Sequence, residues 1–131
     1  HDALPIYAAE DPFNPDHPVA SFAAQKARLL AMGAGGVPTS FKTIPPPEMY
    51  AFEPHQPDLC SFKPDTFVDV TNVWKIKTQA MLAMAAQSYL QDHYTRRAGQ
   101  RAFQSRYAGY DKDTRYVEAF QRMTPEKKRF L

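Results

Sequence analysis

The chain has 131 residues, of which 44% are hydrophobic and 23% charged, and a formal net charge of +2 at pH 7. That length suits about one domain, able to bury roughly two thirds of the surface its unfolded form exposes, and the composition excludes a disordered or fibrous chain. The longest apolar run, Ala80 to Ala86, is far below the roughly 18 residues that suggest a membrane span.

No charged-then-apolar leader is visible in the sequence, and the single cysteine, Cys60, cannot close an internal disulfide. The expected compartment is therefore the cytoplasm. The first residue is His1 and not Met, so residues 1–131 are expected to form a single partial domain, with more chain upstream. "HDALPIYAAE" shows neither alternation nor a helical stripe, and residues 1–10 are treated as an uninformative end.

Next comes "DPFNPDHPVASF", which sets Asp16 and His17 between two prolines at the entry to a predicted helix. Asp16 alone could cap that helix, which leaves His17 to be explained. The helix is predicted from Pro18 to Met32, with Phe22, Leu29, Leu30 and Met32 as its apolar positions and Gly33 or Gly35 at its exit. "TSFKTIPPP" reads as a loop. Met49 to Phe52, nearly all apolar, reads as a buried strand of a covered sheet, and a second short strand is predicted from Thr66 to Val70.

Eleven of the twelve prolines lie at or before Pro64. Proline fixes φ and removes a donor, so turns, short strands and one helix fill the first half, while the second half is free to be helical. Thr71 is predicted to cap a long helix with Val73, Trp74, Ile76, Ala80, Met81, Met84 and Ala85 on one broad apolar stripe, read as core. The order helix, strand, strand, helix, helix is an α/β pattern whose sheet is too small to be complete.

From Arg96 onward there are ten Lys or Arg against four Asp or Glu. A solvated helical face is the ordinary meaning of such a run. The alternatives are a nucleic-acid contact, with Tyr94, Phe103, Tyr107 and Tyr110 as stacking rings, or guanidinium forks at Arg96, Arg97 and Arg101 for a carboxylate-bearing substrate. Among the histidines, His17 suits either a hydrogen-bonded cap or a metal ligand. His55, in "EPHQPD", suits either a loop hydrogen bond or an active-site loop of an α/β sheet. His93 is expected on a helix surface. There is no HExxH, no paired CxxC and no glycine-rich phosphate loop. By itself the sequence offers one or two zinc ligands, where a catalytic site needs three and an open position.

"DPFNPDHP", "YAFEPHQPD" and "KPDTFVDVTNVWKIKTQAMLAMAAQSYLQDHYTRRAGQR" together resemble the carboxy-terminal half of the PIG-L (LmbE-like) zinc-dependent deacetylase superfamily, closest to its 4-oxalomesaconate hydratase branch. The resemblance spans residues 11 to about 107. It implies a Rossmann-like three-layer α/β fold, present here as an incomplete carboxy-terminal portion with few strands and a long helical second half. It also implies one Zn2+ held by an upstream His-x-x-Asp motif and a later histidine matching His17, with Asp16 as the polar partner that orients the site. Deacetylases of the superfamily usually read His-Pro-Asp-His at this turn. Here the first of those positions is Asn14, and an amide cannot exchange a proton near neutral pH.

The implied reaction is zinc-assisted addition of water to an unsaturated keto-polycarboxylate from gallate or protocatechuate breakdown. In it Asp16, Glu53 and His55 act as polar and proton-relaying groups, Asn14, Arg96 and Arg101 as substrate-binding groups, and His17 as the metal ligand. The expected partner is a small polycarboxylate, with no nucleic acid and no membrane, and assembly of like chains is left open. Two other functions stay in view, an N-deacetylase acting on an acetyl amide and a non-enzymatic basic binding module. The chain alone is expected to be inactive.

Overall fold

The computed structural model describes residues 4–6, 11–33, 40, 42–110 and 112–126. Most of the amino-terminal end and Gly35, the alternative helix exit, lie outside them. The chain divides into two compact units, residues 1–65 with 120–131, and residues 66–119.

In the first unit, β1 (Leu4–Ile6) runs parallel to β2 (Met49–Phe52), with Leu4 opposite Met49 and Ile6 opposite Ala51. The other edge of β2 pairs antiparallel with the end of β4 (Val117–Arg122), Phe52 opposite Phe120 and Tyr50 opposite Arg122. β2 falls where the sequence places it, but it is not buried on both faces. Met49 and Ala51 are buried while Tyr50 and Phe52 are half-buried, the alternation of a strand with one covered face.

Arg122 ties these strands together. Its guanidinium ion-pairs with Glu48, lies 5.7 Å from the Tyr50 ring centroid and donates through Nε to the Thr124 carbonyl at 2.9 Å. Its backbone N–H donates to Asp65 Oδ1 at 2.9 Å.

α1 spans Asp16–Ala31, two residues earlier than predicted at its start. Asp16 falls inside the first turn and Pro15 takes the cap position, with no side-chain cap hydrogen bond, which corrects the capping role expected of Asp16. Pro15 has no N–H and a φ of −64°, so it enters the helix already in helical geometry. After α1, Gly33 turns the chain with φ +81°, a conformation L-residues resist.

The helix is turned opposite to what its stripe suggests. Val19, Phe22, Leu29 and Leu30 face outward at 43–68% exposure, while Ser21, at 1%, is its buried residue. Arg28 holds the inner side by donating Nε–H to the Pro47 carbonyl at 2.8 Å.

In the second unit, β3 (Thr66–Asp69) is followed by α2 (Trp74–Leu82) and α3 (Leu90–Ser105). Both helices predicted for this half are present, but the first ends at Leu82, short of the end of its predicted stripe, and a short 3-10 turn lies between them within Ala83–Tyr89. Of its predicted stripe, only Trp74 and Met81 are buried. Val73, Ile76 and Met84 are 49–67% exposed.

The core here is Val70, Trp74, Met81 and Ala98, with Tyr94 and Tyr116 packed against it. Thr71 does not cap α2. Its hydroxyl accepts the backbone N–H groups of Arg115 and Tyr116 at 3.0 and 3.2 Å, which fastens the end of β3 to the segment entering β4. Val117 and Ala119 of β4 are buried. The architecture is mixed α/β, with two strands, β1 and β4, beyond the two predicted. Among the described residues, no helix is long and apolar enough to cross a membrane.

Candidate functional site

The site starts from the local chemistry of Asp11-Pro12-Phe13-Asn14-Pro15. Prolines 12 and 15 have no N–H, so the turn has donors only at Phe13 and Asn14. Both point to one carboxylate, as an Asx turn directs. Asp11 Oδ1 accepts Phe13 N–H at 3.0 Å and Asn14 N–H at 3.1 Å. The Asn14 side-chain amide donates to both Asp11 oxygens at 3.2 and 3.1 Å. Asp11 Oδ2 then lies 2.8 Å from His17 Nδ1, and the His17 backbone N–H donates to the Asn14 carbonyl at 2.9 Å.

Asp11 is buried at 6% exposure. Burial pushes its carboxyl up, but the hydrogen bonds from Asn14, Phe13 and His17 together outweigh that and hold it below the ordinary carboxylate value. It is therefore a carboxylate, an acceptor on every side. The imidazole must carry its proton on Nδ1 to donate to it, and the neutral ring then has its lone pair on Nε2.

Glu53 and His55 follow β2. Because β1 and β2 are parallel, the segment leading to Asp11 and His17 and the segment carrying Glu53 and His55 both start from the carboxyl edge of the pair. That edge is where α/β sheets hold ligands. Both residues are half-buried.

Asp16, expected to orient His17, is solvent-exposed. The carboxylate against the imidazole is Asp11 instead, because only Asp11 lies on the inner side of the turn. Sequence reasoning missed Asp11, and the signal for it was the Asp-Pro-x-Asn spacing that aims two backbone donors back at one acid.

Arg96 and Arg101 lie on α3, in the second unit. Arg96 pairs with Asp92 at 2.8 Å and lines an open groove of about 410 Å3 with Tyr89, His93, Arg97 and Gln100. Arg101 does not line that groove and donates to Gln104 Oε1. Five residues along a helix is about 140° around its axis, so the two guanidiniums do not form one fork. His93 is half-buried, its ring edge-on to Tyr94 at 5.1 Å.

An imidazole whose Nδ1 side is held by a buried carboxylate fits a metal ligand through Nε2. Among the described residues, no group of three or more His, Cys, Asp or Glu side chains is placed to hold a metal ion. His17 therefore fits as one donor of a set, not as a complete site.

No family model matches the chain. A search of curated proteins finds 4-oxalmesaconate hydratase of Pseudomonas putida KT2440, 46% identical over 100 residues, which cover 76% of this chain and 38% of that protein. Among solved structures, the crystal structure of GalB, the 4-carboxy-2-hydroxymuconate hydratase from the same strain, superposes with a TM-score of 0.88 at 39% identity. It covers 99% of this chain and 55% of the other. The chain thus spans between about a third and a half of the length of the relatives it matches, and sequence and structure agree that over this span it is homologous to 4-oxalmesaconate hydratase.

Proposed function

We propose that this chain is the carboxy-terminal portion of a zinc-dependent hydratase that adds water across the carbon–carbon double bond of an unsaturated keto-polycarboxylate. The substrate class is 4-oxalomesaconate, from the breakdown of gallate or related aromatic acids. The wider fold on this reading is the Rossmann-like domain of the PIG-L superfamily.

The observation that carries the reading is the placement of His17. Its ring is held by Asp11 at the start of α1, on a segment that leaves the carboxyl edge of β1 and β2, in a chain homologous to a hydratase.

His17 Nε2 would hold the Zn2+ together with donors from outside this chain, and the ion would polarise a substrate oxygen or a water. Glu53 or His55, which leave β2 at the same edge, would relay the proton that addition of water requires. Asp16, beside His17, contributes negative charge at the helix start. Arg96, with Arg101 as a second cation on α3, supplies guanidinium groups for the substrate's carboxylates.

Asn14 argues for this chemistry over amide hydrolysis. Its amide donates to Asp11 and acts as neither an acid nor a base near neutral pH. The test is product analysis with the full-length protein, zinc and 4-oxalomesaconate. Loss of the conjugated substrate with formation of the hydrated acid supports the reading. Acetate release from N-acetyl amides, with no hydration, overturns it.

A further inference from the structure

We propose that Asp11 is a positioning residue. Its carboxylate, 2.8 Å from His17 Nδ1, holds the ring proton on that nitrogen, so that Nε2 is the nitrogen offered as a ligand. This rests on the reading of His17 as a metal ligand and deepens it, since Asp11 itself touches neither metal nor substrate.

The geometry restricts the imidazole twice from one short segment. The backbone N–H of His17 is fixed by the Asn14 carbonyl at 2.9 Å, and its ring by Asp11 Oδ2 at 2.8 Å. Asp11 in turn cannot rotate away without releasing Phe13 N–H, Asn14 N–H and the Asn14 side-chain amide together. Its side chain is 3% exposed, so water cannot readily replace any of them. One carboxylate therefore sets the turn, holds Asn14 and selects the ring proton. Carboxylates behind metal-binding imidazoles act in this way, and losing one typically weakens metal affinity about 10–100-fold.

The Asp11→Asn variant separates the roles. An asparagine Oδ1 still accepts the Phe13 and Asn14 N–H groups of the turn, but its Nδ2 gives up the bond that Oδ2 accepts from the Asn14 amide and faces His17 Nδ1 as a donor. The ring must then accept at Nδ1 and carry its proton on Nε2.

The experiment uses the full-length protein. The zinc-free form is examined by 15N NMR of the His17 ring, and affinity for zinc alone is measured by competition with a chelator. Expected are an Nδ1-protonated ring in the wild type, an Nε2-protonated ring in Asp11→Asn, and zinc affinity about 10–100-fold weaker, read well below the variant's lowered unfolding temperature. A wild-type ring protonated on Nε2 overturns the proposal without need of any variant. So does an Asp11→Asn protein whose tautomer and zinc affinity match the wild type. His17→Ala is measured alongside. If it leaves zinc affinity unchanged, His17 is not a ligand and the reading beneath the proposal fails, an outcome distinct from the failure of Asp11.

Discussion

Trp74 and Tyr116 stack nearly parallel, ring centroids 4.3 Å apart and planes 11° from each other. The pair joins the start of α2 to the residue before β4 and closes the cluster of Val70, Met81 and Ala98. Such a stack contributes about 0.5–1.5 kcal/mol beyond area burial. Trp74→Ala is expected to lower unfolding stability by about 3–5 kcal/mol, and Trp74→Phe by clearly less, since it keeps a ring against Tyr116. Chemical denaturation checks both, and equal losses would contradict the stacking account.

Asp69 gives the second unit an acid-sensitive clamp. Its Oδ1 accepts Thr71 N–H at 2.8 Å and its Oδ2 accepts the Thr114 hydroxyl at 3.0 Å. The hydrogen bonds from Thr71, with a smaller one from Thr114, outweigh burial and hold its carboxyl below 3.8. A carboxylate whose folded value is depressed adds stability that is fully present above its unfolded value and is lost as pH falls through the folded one. Asp69→Asn is therefore expected to be less stable than the wild type at neutral pH, with the gap closing as pH falls below about 3.8. Thermal unfolding at pH 7, 5 and 3 measures it.

Gly33 has φ +81°, and an added Cβ would lie 3.1 Å from Thr43 Cγ2, a tight contact that the threonine side chain would have to ease by a few tenths of an ångström. The backbone alone costs an L-residue about 1–2 kcal/mol in this region. Gly33→Ala is expected to destabilise by at least that amount, read by denaturant titration, and a neutral result would mean that α1 does not end in this turn.

The groove on α3 tests the proposed role of Arg96 in binding a substrate carboxylate. Arg96 lines it and Arg101 does not. Steady-state kinetics of the full-length protein should show Arg96→Gln raising KM by about tenfold, equivalent to roughly 1.4 kcal/mol of binding, with kcat little changed. Arg101→Gln should have the smaller effect.

What the sequence revealed, and what it hid, follows from which forces are local. β2 was legible because Met-Tyr-Ala-Phe is a short apolar run confined between Pro47 and Pro54, and α1 because its proline entry and glycine exit are local devices. The outward turn of α1 was not legible. Apolar residues at Phe22, Leu29, Leu30 and Met32 report an apolar face but not what covers it, and among the described residues the inner side instead carries Ser21 and Arg28.

The early end of α2 at Leu82 was hidden, since no glycine or proline follows it before α3 and Met, Ala and Leu there all favour helix. β1 contains Pro5, which argues against a strand. β4, in the sequence Val-Glu-Ala-Phe-Gln-Arg, does alternate, and Val117 and Ala119 face inward, but it lies in the basic segment read as helical. In the site, His17 stood out through its chemistry and Asp11 did not, because an Asx-turn acid resembles any other loop aspartate until its donors are placed.

The most direct measurement of the central claim is the single-turnover rate of 4-oxalomesaconate hydration by the full-length protein with zinc, wild type against His17→Ala, at matched thermal stability. The account predicts a loss of at least about a hundredfold, equivalent to 2.7 kcal/mol or more in the barrier. A His17→Ala protein that hydrates the substrate at the wild-type rate would contradict it.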